Sequence, residues 1–240
     1  MDWMTNPDIW ISFLTLCALE IVLGIDNLIF ISILSNKLPK EQQGKARRIG
    51  LGLALIMRIG LLFSISWIMG LTNDLFTVLG QGVSGRDIIL IMGGLFLIYK
   101  SVNEIHEKFE DAQAPDKIDI AVSGFREVVV QIVLMDIIFS FDSVITAVGM
   151  TNNIGVMIAA VIVSMIIMIL SADTIGDFVG RHPAIKVLAL AFLIMIGIAL
   201  IADGLDFHIP KGYIYFSMAF ALMVEGINIM TGTRKKSPKV

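Results

Sequence analysis

The sequence predicts an all-α, polytopic membrane protein of about seven transmembrane helices, built as a 3+3 inverted repeat with one extra helix. Three observations predict it. The 240 residues are 56% hydrophobic and only 16% charged, where soluble domains carry about a quarter charged residues; the mean hydropathy is +0.85. Apolar runs long enough to cross a bilayer as helix recur seven times. Two of those runs carry near copies of one motif, Glu20-Ile-Val-Leu-Gly-Ile-Asp26-Asn27 and Asp136-Ile-Ile-Phe-Ser-Phe-Asp142-Ser143.

The spans fall at about 10–34, 49–70, 87–102, 127–149, 154–172, 186–204 and 213–230. The third is short as an apolar run, but Val102, Ile105 and Phe109 continue its helical spacing, so this helix is expected to project beyond the membrane. Breaks coincide with turn chemistry at Pro39, Gly80 to Gly85, Pro115, Asn152-Asn153, His182-Pro183 and Pro210. No hydrophilic stretch is long enough to fold separately, so residues 1–240 read as one membrane domain. Repeat one covers about 10–102, an acidic linker 103–126, repeat two 127–204, the extra helix 213–230, and a basic tail 231–240. No cleavable signal is expected, because residues 1–9 lack Lys and Arg.

Lys and Arg set the orientation. Fifteen of the 18 fall in the first, third and fifth connections and the tail, against Arg86 and Lys211 on the other side and Arg58 within a span. The N-terminus is therefore expected outside and the C-terminus in the cytoplasm. Around residues 104–119 the acids outnumber the bases, as in a solvated linker; a cytoplasmic metal-sensing patch with His106 is the sharper alternative. The net charge of −3 gives no sign of a nucleic-acid partner. The single cysteine, Cys17, excludes an intrachain disulfide and leaves the redox compartment open. Oligomeric state is not legible.

Three crossings per repeat make the second copy enter the membrane from the opposite side. Inverted repeats of this kind characterise secondary transporters with a site near the midplane. The motifs sit there, and they are costly: a carboxylate at bilayer depth costs roughly 2.5–3.5 kcal/mol, so four cost roughly 10–14 if uncompensated. A bound cation is the leading compensation. Residues i and i+6 of a straight helix stand about 9 Å apart along the axis and roughly 120° apart around it, so one ion does not easily touch both. Either the helix unwinds at Gly24 and Ser140, which is the favoured expectation, or the acids form two levels of a pathway. The small residues have a plainer use in close helix packing.

The candidate donors are Glu20, Asp26, Asp136 and Asp142, the Asn27 amide oxygen, and the hydroxyls of Ser140, Ser143 and Thr146. An all-oxygen set suits Mn²⁺, Mg²⁺ or Ca²⁺ rather than Zn²⁺ or Cu⁺. With Arg58, four ionised acids sum to −3; a divalent ion leaves −1, and one proton would make the site neutral, which suggests proton exchange. Arg58 serves either as a salt bridge orienting the acids or as a gating charge. Glu225 and Asn228 share a face of the last span, as pathway groups or as packing and snorkelling groups. Asp177 and Arg181 are spaced to pair at the end of span five. Met157, Met165 and Met168 read as fillers. Enzyme signatures such as H-E-x-x-H, G-x-S-x-G and the phosphate-binding G-x-x-x-x-G-K-[ST] are absent, so no enzyme and no resident cofactor are expected; an aspartyl hydrolase built on Asp26 and Asp142 is the remote exception.

At these motifs, and with an Arg in span two, the sequence resembles the TerC family of integral membrane proteins, named for tellurium resistance, over essentially the whole chain. It resembles the short members that consist of the membrane domain alone. The resemblance implies a seven-helix fold akin to lysine-exporter-like transporters, a bacterial inner-membrane location, and a link to Mn²⁺ efflux. It also implies that Glu20, Asp26, Asn27, Asp136, Asp142 and Ser143 form the ion site. Gly24 departs from the pattern, standing where many members have Ser, which removes one hydroxyl. The leading expectation is export of a divalent metal, Mn²⁺ first. The alternatives are a non-transporting factor that assists secretion or membrane insertion, its acids forming a polar core, and a transporter of organic cations or amino acids.

Overall fold

The computed structural model describes residues 7–64, 70–78, 81–113, 124–151 and 153–231. These form seven helices and one β-hairpin: α1 (Pro7–Ser35), α2 (Lys40–Phe63), β1 (Asp74–Val78), β2 (Gln81–Ser84), α3 (Gly85–Gln113), α4 (Phe125–Met150), α5 (Ile154–Arg181), α6 (Pro183–Gly204) and α7 (Lys211–Met230). Local chemistry sets the boundaries. Pro39, His182 and Pro210 occupy the N-cap positions of α2, α6 and α7, and Pro183 follows at the first position of α6. Asn153 caps α5, its side-chain oxygen accepting from the Val156 N–H at 3.3 Å.

Six of the helices are long and apolar enough to cross a membrane. The exception is α2, whose first turns carry Lys40, Glu41, Lys45, Arg47 and Arg48. It begins at Lys40 rather than near residue 49, because these charged residues extend the helix on the side where the positive charge collects. The acidic stretch that begins at residue 104 is helical as far as Gln113, in line with the expected projection of α3. The remainder of that linker lies outside the described residues. The β-hairpin was not expected from the sequence; β1 and β2 pair antiparallel between α2 and α3.

Packing follows the repeat. The dominant contacts join α1 to α5 and α2 to α4, so each repeat's first helix lies against the other repeat's second helix. The third helices, α3 and α6, pack on each other. This exchange is the pattern that two inverted repeats would produce. The α3–α6 crossing is close because both sides are glycine: a Cβ on Gly94 would collide with the Gly197 carbonyl, and one on Gly197 would stand 2.8 Å from the Gly94 carbonyl. One heptad outward, a Cβ on Gly204 would stand 2.8 Å from the Asp87 carbonyl, in the same antiparallel register. The extra helix α7 packs on α6 through Ile214 and Met218 and leaves Tyr213, Phe216, Phe220 and Met223 exposed, as a peripheral helix in lipid would. Met157, Met165 and Met168 are buried fillers between α5 and its neighbours.

Candidate functional site

Three helices bring charge into the core. On α2, Leu51, Ala54, Arg58 and Leu62 repeat at helical spacing and are all buried, so Arg58 occupies a core position. On α1, Leu16, Glu20 and Asn27 form the corresponding buried stripe; on α4 it is Ile132, Asp136, Ser140 and Ser143. Arg58 joins the two motifs. Its Nε donates to Asp136 Oδ2 at 3.0 Å and its Nη2 to Asp136 Oδ1 at 2.7 Å, while Nη1 pairs with Glu20 Oε2. Ser140 adds a hydroxyl donated to Asp136 Oδ2 at 3.1 Å. Of Arg58, Glu20 and Asp136, none is more than 4% exposed. A buried charge cluster persists only when paired and hydrogen-bonded in this way.

Both helices run unbroken through the motifs, which overturns the expected unwinding at Gly24 and Ser140. The physical reason differs at the two places. A Cβ at Gly24 would run into Met168 Sδ, so the glycine admits α5 close against α1. Ser140 keeps its helical backbone and spends its hydroxyl on Asp136. With straight helices, each motif's two acids stand about 9 Å apart along the axis, at two levels. The side chains of Asp26 and Asp142 lie outside the described residues. Among the described residues, no three His, Cys, Asp or Glu side chains gather as a metal site.

Beside the Arg58 cluster is a cavity of about 50 Å³, room for more than one water. Glu20, Asn27, Arg58 and Ser143 reach it from the first two helices and α4. The Asn27 amide oxygen is buried and, among the described residues, has no hydrogen-bond partner, a rare condition for a core acceptor. Ser143 donates to the Ser140 carbonyl at 3.3 Å. The cavity also takes in Asp203 at the end of α6 and Lys211 at the start of α7, neither of which the motif reading included. Asp203 is buried, and its Oδ1 lies 3.2 Å from Nδ1 of the exposed His208. The signal for it was present: Asp203 is the only acid in an otherwise apolar span.

The other expected residues lie elsewhere. Thr146 is not among the residues lining that cavity. Glu225 and Asn228 pair with each other at 3.4 Å on the peripheral α7, away from the Arg58 cluster. The expected Asp177–Arg181 pair does not form among the described residues; it is Asp173 that is engaged, by Arg48 at 2.6 Å. Cys17 is buried, its thiol 3.9 Å from the Ala160 carbonyl.

The comparisons agree with this architecture. The family profile described as integral membrane protein TerC family matches residues 5–239. The UPF0053 inner membrane protein YgdQ of Escherichia coli (strain K12) is 51% identical, with 98% of each chain covered. A UPF0053 protein of Haemophilus influenzae is 52% identical, covering 95% of this chain and 96% of the relative. The inner membrane protein YoaE of E. coli is 50% identical over 95% of this chain, but only 44% of its own length is matched. No solved structure matches. A polytopic helical bundle with paired acidic motifs, matched end to end by such relatives, belongs to the integral membrane protein TerC family.

Proposed function

We propose that this protein is a transporter that exports a divalent cation, Mn²⁺ first, through the centre of the bundle. The observation that carries the reading is the Asn27 amide oxygen, buried without a partner among the described residues, in a cavity that also holds Glu20, Ser143 and Asp203. A hard cation or its water is the partner such an oxygen lacks. Glu20 and Asp136 are already engaged by Arg58. The exchangeable charge therefore falls to Asp26 and Asp142, each directly followed by a neutral oxygen donor, Asn27 and Ser143. Three crossings per repeat send these aspartates toward opposite faces, so they form successive stations about the Arg58 cluster. Proton exchange at the two aspartates balances the charge as the ion leaves. The positive-inside pattern supports an N-terminus outside and a C-terminus in the cytoplasm, and export would then run from the C-terminal face outward.

A second reading rests on the same cluster. Glu20, Arg58 and Asp136 form a self-contained ionic core in unbroken helices, as a non-transporting membrane factor would need. One experiment separates the two: cellular Mn content and Mn tolerance in cells lacking their own manganese exporter, for wild type, Asp26→Asn and Asp142→Asn at matched expression. Export requires wild type to lower cellular Mn and both variants to fail. Equal behaviour of all three overturns export and leaves the structural reading.

A further inference from the structure

At the end of the bundle where the α1–α2 and α5–α6 turns meet, a second concavity opens, with a volume of about 540 Å³. That lies within the range of roughly 300–1,000 Å³ typical of ligand pockets. Lys40 and Arg47 reach it from α2, Arg181 from the end of α5 and Lys186 from the first turn of α6. Asp177 is the one carboxylate among its lining residues; with Arg47 also 3.9 Å from Asp173, three further cations face a single acid. Neither Lys40, Arg181 nor Lys186 forms an ion pair among the described residues. Like charges converging from three helices cost free energy unless an anion joins them.

The floor of this pocket is built. Arg47 is 3% exposed, and its Nη1 donates to the Ala172 carbonyl at 3.1 Å and the Asp173 carbonyl at 3.4 Å. It fits there because Gly176 has no side chain; a Cβ at that position would occupy the place of the guanidinium. Asn36, from the α1–α2 turn, lines the same pocket, and its amide nitrogen is buried without a hydrogen-bond partner among the described residues. An unpaired donor and a surplus of cations ask for the same thing, an acceptor-rich anion. Basic pockets between transmembrane helices on the positively charged side take phosphate headgroups.

We infer that the pocket formed by Asn36, Lys40, Arg47, Arg181 and Lys186 binds a phosphate group, that of an anionic phospholipid headgroup in the leaflet at this face. The Asn36 amide and the guanidinium and ammonium groups donate to the phosphate oxygens. The lipid so held ties the α1–α2 turn of the first repeat to the α5–α6 turn of the second. This inference stands apart from the transport reading, since none of these residues belongs to the Arg58 cluster or its cavity.

The test uses the full chain, purified and placed in phosphatidylcholine nanodiscs. Phosphatidylglycerol, cardiolipin or inorganic phosphate is then titrated, with native mass spectrometry and the thermal unfolding midpoint as readouts. Wild type is expected to retain the anionic lipids over phosphatidylcholine and to unfold at a higher temperature with them. In R181Q/K186Q the retention falls roughly 30-fold, from two cations each contributing about 1 kcal/mol. K45Q/R126Q, which removes equal charge from exposed positions outside the pocket, keeps the wild-type preference. Protection by inorganic phosphate alone upholds the phosphate site and assigns it a soluble source. Equal loss in both double variants, or no loss in either, overturns the site. If R181Q/K186Q fails to fold, the wild type still decides: indifference to both phosphate sources overturns the proposal.

Discussion

Arg58 and Asp136 meet as a two-pronged pair between α2 and α4, with Nε 3.0 Å from Oδ2 and Nη2 2.7 Å from Oδ1. The third nitrogen, Nη1, holds Glu20 on α1, so one guanidinium fixes both motif helices at once. Removing it leaves two carboxylates buried without a counter-charge. Arg58→Met is therefore expected to cost about 3–5 kcal/mol, read as a lowered unfolding midpoint and reduced yield of folded protein. Arg58→Lys should recover only part of this, because an ammonium cannot reproduce the fork. The triple variant Arg58→Met/Glu20→Gln/Asp136→Asn should be more stable than Arg58→Met alone. A triple variant no better than the single one would show that the cost lies in packing, not charge.

The glycines separate by what their missing Cβ would meet. At Gly24 the obstacle is the tip of Met168, a flexible side chain. At Gly94 it is the main-chain carbonyl of Gly197, which moves only with the whole of α6. Gly24→Ala should cost about 1–3 kcal/mol and be largely rescued by Met168→Ala in the same chain. Gly94→Ala should cost more and find no rescue by side-chain trimming on α6. A double-mutant cycle of unfolding midpoints checks both expectations.

The helices were legible because lipid enforces one pattern, long apolar runs closed by Pro, Gly and Asn. The start of α2 was misplaced, since hydropathy registers the hydrocarbon and not a helix that continues through Lys40 to Arg48 beyond it. The pairing of Asp74–Val78 with Gln81–Ser84 was illegible as strand, being two short segments of five and four residues. At the site, the motif copies identified Glu20 and Asp136, and an Arg in a span announced its need of partners. Their joint capture by Arg58 depends on the crossing of three helices, which no local pattern records. The unwinding inferred at Gly24 failed for a related reason: a glycine that admits Met168 looks in sequence like one that loosens a helix.

Lys37, in the α1–α2 turn, closes a second contact, with α3: its Nζ lies 2.6 Å from Glu104 and 2.7 Å from Glu107. Burial alone would lower the Lys37 pKa; the hydrogen bonds and charges of Glu104 and Glu107 outweigh it and raise the value. A raised lysine pKa contributes stability that is fully present below the ordinary value of 10.5 and is lost as pH rises through the higher folded one. Lys37→Met should thus cost about 1.5–3 kcal/mol at neutral pH, and the gap to wild type should narrow only above that value. Unfolding midpoints measured from pH 7 to 11 test this; a gap that closes near neutrality would contradict it.

Asp203 extends the acidic line of the cavity beyond the two motifs. Its carboxylate is buried beside Lys211, while its partner His208 has a side chain 77% exposed. A contact with so exposed a group is worth about 0–1 kcal/mol, so by itself it gives the buried carboxylate little support. The transport proposal gives this carboxylate a use, in passing the proposed cation between the cavity and the end of the bundle. Asp203→Asn is expected to slow Mn export about tenfold or more, on the scale of losing a supporting group at a metal site, while the unfolding midpoint stays close to wild type. His208→Gln removes the pair but keeps the carboxylate, and should leave export near the wild-type rate. Initial rates of Mn efflux from preloaded cells, at matched expression, measure both. If His208→Gln fails as Asp203→Asn does, the pair matters rather than the carboxylate; if neither variant slows efflux, Asp203 lies off the path.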